Sequence, residues 1–136
     1  MHFMEFIKVY KCLCDGQRLR ILNLLKEGPL CVCHLVEILA ADQVKISKQL
    51  RYMKELGMVR GEREAQWMIY QLQDKPHPVL IENLKCLQDL SNERSEFATD
   101  LRKRTKILQK IQSKGSACPG AVVDSVLSSC GESECC

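Results

Sequence analysis

The stretch LCVCHLVEILAADQVKISKQLRYMKELGMVR, residues 30–60, decides the fold. Its first part, residues 32–40, reads as a short helix burying Leu35, Ile38 and Leu39, and Ala41-Asp42 makes a tight connection into a second helix over residues 43–56. There Ile46, Leu50 and Met53 recur at i, i+4 and i+7, so one face is buried. Lys45, Lys48, Gln49, Arg51 and Tyr52 occupy the rest of the surface, and Gly57 is a natural stop. Two strands are expected next, at residues 58–62 and 67–72, around a turn at Arg63-Glu64-Ala65-Gln66. Two short helices across a tight turn, the second basic and half-buried, then a hairpin, make a winged helix-turn-helix. The expected fold class is therefore mainly α with a small β-hairpin. On charge alone, the second helix would pass for an ordinary amphipathic helix with a solvated face; the order of elements and the turn length argue for DNA.

Upstream, residues 4–13 show helical spacing of Phe6, Ile7, Tyr10 and Leu13, and Asp15 reads as the N-cap of a helix over 17–26 that ends at Gly28-Pro29. Downstream, Pro76 and Pro78 punctuate the chain before a long helical segment over 79–111. Leu80, Leu84, Leu87, Phe97, Leu101 and Leu108 lie near one stripe of it, broken at Arg94. Residues 1–112 thus read as one winged helix-turn-helix domain, and 113–136 as a weakly structured tail rich in Gly, Ser and Cys. Within the tail, Val122, Val123, Val126 and Leu127 suggest a short amphipathic helix over 119–127.

With 136 residues, 46% hydrophobic and 27% charged, the chain has the makings of one compact domain plus tails. No apolar run is long enough to span a bilayer, and MHFMEFIKVYK lacks the features of a secretory signal, which points to the cytoplasm. A net charge of +3 permits nucleic-acid binding without implying it. Nine cysteines are unusual, and an odd count without a signal peptide argues for ion binding or redox sensing over a disulfide framework. In the second helix of the motif, Gln43, Lys45, Ser47 and Lys48 occupy the early turns where base edges come within reach, with Gln49 beside them. Arg51, Tyr52 and the wing residue Arg63 suit phosphates.

Several segments in order, LCDGQRLRIL at 13–22, LCVCHL at 30–35, KISKQL at 45–50, LGMV at 56–59 and WMIYQL at 67–72, resemble the ArsR/SmtB family of metalloregulatory repressors, in its arsenic-responsive branch. The resemblance implies a homodimer on palindromic double-stranded operator DNA, with the terminal helices pairing, and the 80–108 stripe agrees, being long to bury on a small monomer. The alternative is that the stripe folds back on its own domain. The resemblance also implies trivalent arsenic or antimony as inducer, held by Cys31 and Cys33, with no resident cofactor. Thiolates favour such soft ions. On a regular helix, residues i and i+2 point about 200° apart, so binding through this pair is expected to unwind the start of its helix. The family's third cysteine position holds Val36, leaving Cys118, Cys130, Cys135 and Cys136 as candidates to complete the site, or a two-thiol site for a methylated arsenical. The wing tip holds Ala65 in place of the usual glycine, and residues 84–111 contain no histidine, so the zinc set of other relatives is missing and His77 stands alone. Cys14 is expected to be packed, and Cys86 buried between subunits. Rival readings are a redox or cadmium- or lead-responsive repressor of the same fold and a thiol-based ion buffer. A thiol enzyme is disfavoured by the lack of Cys-x-x-Cys, of a phosphate loop and of a base paired with a nucleophile.

Overall fold

The computed structural model describes residues 3–91 and 95–114. Helix α1 spans Phe3–Leu13, α2 Gly16–Lys26, α3 Val32–Leu39 and α4 Gln43–Glu55. The two-residue strand β1, Leu30–Cys31, precedes α3, and β2, Val59–Glu64, and β3, Trp67–Leu72, form the wing. The chain continues through α5, Pro78–Leu90, and α6, Glu96–Lys114. The expected winged helix-turn-helix is present, with an antiparallel sheet in the order β1-β3-β2.

Local chemistry sets the helix ends. The Asp15 carboxylate accepts the Arg18 N–H at 3.1 Å, and Asp42 accepts the Val44 N–H at 3.4 Å. Gly57, at φ 82°, follows α4 as anticipated. Between α3 and α4 the backbone turns through Ala40 at φ 50°, and the wing turns through Ala65 at φ 56°, both in the left-handed region that costs an L-residue about 1 kcal/mol or more. Val9, Ile21, Leu22, Leu35, Ile38, Ile46, Leu50, Met53, Val59 and Leu80 meet in one core.

Two features depart from the sequence reading. β1 was not foreseen; Leu30 pairs with Tyr70 and Cys31 with Ile69, adding a third strand to the hairpin. The long segment is two helices. Ser91, at φ −77° and ψ 142°, ends α5 with its hydroxyl and N–H both donating to the Leu87 carbonyl, and Ser95 opens α6 by accepting the Ala98 N–H at 3.2 Å. The expected break at Arg94 lies outside the described residues.

The turn between the helices also redirects the stripe. Leu80, Leu84 and Ile107 are core residues of this same chain, with Leu87, Leu101 and Leu108 packed against them. Arg20 of α2 holds Asp100 of α6 with two hydrogen bonds of 2.8 and 2.9 Å, and Gln88 of α5 donates to Asn23 of α2 at 2.7 Å. The stripe thus folds back on its own domain, and its length is no argument for a dimer.

Candidate nucleic-acid interface and sulfur pair

Helix α4 carries its apolar residues inward, with Ile46, Leu50 and Met53 buried, and leaves Gln43, Lys45, Lys48 and Arg51 exposed and Ser47 half-buried. Arg63 is exposed on β2. Val44, which the sequence reading passed over, is 58% exposed in the first turn. It stands off the Ile46–Leu50–Met53 stripe, and that spacing was the available signal. An exposed valine beside lysines suits a thymine methyl.

Gln49 and Tyr52 are engaged within the chain. The Gln49 amide accepts from Arg18 at 2.9 Å and donates to Asp15 at 3.1 Å, so both its ends are committed to the start of α2. Arg18 lies over the Tyr52 ring, 4.7 Å from its centroid. The same guanidinium donates to the carbonyls of Cys12 and Lys11 at the end of α1. Arg18 is therefore the hub that fixes α4 against α1 and α2. Its partner Gln49 is distant in sequence, and no local pattern marked it.

The Cys31–Cys33 pair is arranged differently from the expectation. Cys31 lies outside the helix: it is the last residue of β1 and the N-cap of α3, extended at φ −76° and ψ 150°. Cys33 sits in the first turn, and the two sulfurs approach to 3.5 Å, too long for a disulfide between them and short enough for shared ligation. Two thiolates bound to one ion at about 2.3 Å, as in zinc sites, lie about 3.3–3.8 Å apart for bond angles of roughly 90–110°. Because Cys31 is the extended N-cap and not a helical residue, the 200° divergence of a helical i, i+2 pair does not apply to these two side chains. Around it, Cys31, Trp67 and Ile69 form a small buried cluster against which Cys33 packs, so the sulfurs touch the wing strand as well as α3.

Among the described residues no group of three or more Cys, His, Asp and Glu side chains could hold a metal ion. His34, next to Cys33, is buried, and its pKa falls to about 4, first because burial disfavours the charged form and then because the Arg104 cation is near. Arg104 is itself lowered by burial, partly offset by Glu27, and its guanidinium passes so close to Gly28 (φ +138°) that an added Cβ would lie 2.9 Å from it. Cys14 is exposed and not packed; Cys12 is the buried member of that pair, its thiol pushed up to about 11 mainly by burial. Cys86 is exposed on the single chain. Cys118, Cys130, Cys135, Cys136 and the 119–127 segment lie outside the described residues. His77 caps α5 by accepting the Val79 N–H at 3.1 Å and meets Phe6 edge-on, a structural role. No described helix is long and apolar enough to cross a membrane.

Residues 15–60 match the family described as "Bacterial regulatory protein, arsR family". The chain is similar to the "Arsenic resistance transcriptional regulator ArsR1" of Pseudomonas putida, 37% identical over 86 residues, covering 62% of this chain and 67% of that protein. It is also similar to the "Arsenical resistance operon repressor" of Escherichia coli, 40% identical over 78 residues, covering 57% and 65%. The chain thus spans about two thirds of the length of these relatives. Among solved structures, the antimony-specific transcriptional repressor AntR superposes with a TM-score of 0.56 at 26% identity, over 64% of this chain and 77% of AntR. The family match covers the helix-turn-helix described above, and the chain belongs to the arsR family of bacterial regulatory proteins, winged helix-turn-helix transcriptional regulators and not enzymes.

Proposed function

We propose that this chain is a dimeric repressor of operator DNA that is released when trivalent arsenic, as arsenite, antimonite or a methylated arsenical, is held by Cys31 and Cys33. The observation that carries the reading is the 3.5 Å approach of the two sulfurs at the start of α3, the first helix of the DNA-binding motif. The arsenic-resistance relatives and the antimony-specific repressor support the choice of ion. Gln43, Val44, Lys45, Ser47 and Lys48 enter the major groove, while Arg51 and Arg63 bind phosphates. Gln49 and Tyr52 position α4 through Arg18. Phe3, Met4 and Tyr10, exposed large apolar residues on α1, offer the surface that a second copy would cover.

Bridging Cys31 to Cys33 ties the β1–β3 ladder to the first turn of α3. Since α3 packs on α4 and the sulfurs pack on Trp67 and Ile69, a change there shifts the recognition helix relative to the wing. The test is operator binding by the reduced protein, titrated with arsenite, for wild type and the C31S/C33S variant. Release of the wild type and retention of the variant are expected. Equal release of both would remove the sensor from α3, and operator binding indifferent to arsenite in both would remove arsenic as inducer.

A further inference from the structure

Within α6, residues 101–113 include Arg102, Lys103, Arg104, Lys106 and Lys110 and no acid. At about 100° per residue, Arg102, Lys103, Lys106 and Lys110 fall within one sector of about 100°, and all four are exposed. The opposite side of the helix faces inward: Asp100 holds Arg20, Arg104 lies against Gly28, and Ile107 belongs to the core. Among the described residues, no carboxylate forms an ion pair with Arg102, Lys103 or Lys106. Arg102 donates to the Thr99 hydroxyl one turn back. Charge alone would make this an ordinary solvated face, and its place in the fold argues otherwise.

Lys103 donates to the Ile38 carbonyl at 3.3 Å, which ties the cationic face to the last turn of α3. Ile38 precedes Gln43, the first residue of α4, by five residues, a span of at most about 18 Å. From this point a groove of about 380 Å³ runs between α3 and α6, with Lys103, Lys106 and Lys110 on one wall and Glu37 on the other. The wing leaves the other end of α4, where Gly57 leads into β2. The two therefore bracket the recognition helix, the wing at its C-terminal end and α6 near its N-terminal end. The major groove is about 12 Å wide, so a helix lying in it has a phosphate backbone on each side. The wing is poorly charged for its share. Residues 59–72 hold two arginines and two glutamates, and Arg60 is engaged by Glu62 at 3.6 Å and Asp74 at 3.0 Å. Among the wing residues, Arg63 is then the one cation left for a phosphate.

We propose that the cationic face of α6, formed by Arg102, Lys103, Lys106 and Lys110, is a second DNA surface that holds the phosphate backbone of duplex flanking the bases read by α4. The proposal rests on the operator-binding reading above and is independent of arsenic and of every cysteine. Contacts of this kind strengthen binding and fix the orientation of the protein on the duplex without choosing a sequence. They also make binding strongly dependent on salt, because each neutralised phosphate releases counterions.

The experiment uses the full chain and a duplex that the wild type selects from a random-sequence pool, either with long flanks or trimmed to the bases that selection fixes. The R102Q/K106Q variant spares the bond from Lys103 to Ile38. Its plot of log affinity against log salt should lose about 0.9 in slope per contact, roughly 2–4 for two side chains in each of two protomers. Affinity for the long duplex should fall at least tenfold at physiological salt, and the trimmed duplex should be bound alike by both proteins. R102K/K106R keeps the charges and should restore the wild-type slope. K75Q/K85Q removes the same charge from exposed positions before and on α5, and should change the slope much less. A wild-type slope in R102Q/K106Q, an equal loss in K75Q/K85Q, an undiminished loss on the trimmed duplex, or no restoration in R102K/K106R would each overturn the proposal. If the wild type selects no duplex at all, the operator-binding reading fails and takes this surface with it.

Discussion

The Arg20–Asp100 pair is the point at which α6 is held to α2, and its two halves should not be equivalent. The Asp100 side chain is 1% exposed and that of Arg20 is 26% exposed. Replacing Arg20 with methionine keeps much of the packing but strands a buried carboxylate with both its 2.8 and 2.9 Å donors gone. A buried charge stripped of its partner costs about 3–5 kcal/mol. In D100N the group left behind is a guanidinium that reaches water, and the amide retains an acceptor, so a loss of about 1–2 kcal/mol is expected. The same hydrogen bonds, donated by Arg20 to Asp100, are the main cause of the raised Arg20 pKa. The difference between the two variants, about 2 kcal/mol, should appear in urea unfolding at pH 7 and fixed protomer concentration, with Tm falling by on the order of 10 °C in R20M. A D100N penalty equal to or above that of R20M would refute the asymmetry, and with it the assignment of Asp100 as the buried member.

Three further outcomes are expected. His34 binds fewer protons folded than unfolded, so its contribution is full above pH 6.5 and is lost as pH falls from 6.5 to about 4, up to about 3 kcal/mol; H34F should flatten that part of the stability–pH curve measured by urea titration. A40G and A65G should each stabilise the fold by up to about 1 kcal/mol by relieving positive φ, seen as a higher urea midpoint with unchanged slope, whereas substitution by valine should destabilise. R18M should weaken operator binding by about tenfold with the salt dependence little changed, because Arg18 fixes α4 without being a phosphate ligand; a slope reduced by about one charge would make it a DNA contact instead.

The elements readable in the sequence were those whose signals are local. Asp15 and Asp42 cap their helices from within three residues, Gly57 ends α4, and Ile46, Leu50 and Met53 declare their face by spacing alone. The unread parts depend on distant partners. β1 has two residues, too few for any alternation, and exists because Leu30 and Cys31 meet Tyr70 and Ile69 some 40 residues later. The α5–α6 break was hidden because Leu80, Leu84, Leu101 and Leu108 keep one stripe across it, while the serines that close and open the helices look like ordinary polar positions. Gln49 reads as a base-reading residue by position, yet its hydrogen-bonding capacity is used by Arg18 and Asp15, 31 and 34 residues away.

That missed strand bears directly on how a sensor of this kind would act. Were Cys31 and Cys33 both helical, their sulfurs would diverge by about 200°, and an ion could join them only by melting the first turn of α3. Because Cys31 is held extended by its pairing with Ile69, the sulfurs already converge to 3.5 Å, and two-point ligation requires no unwinding. The energy of binding the first two sulfurs is then not spent on α3, and a repressor that must change state needs a difference between its free and bound forms elsewhere. On this reasoning α3 responds by shifting as a unit between the wing and α6, carrying α4 with it, and the fixed β1–α3 junction is the pivot.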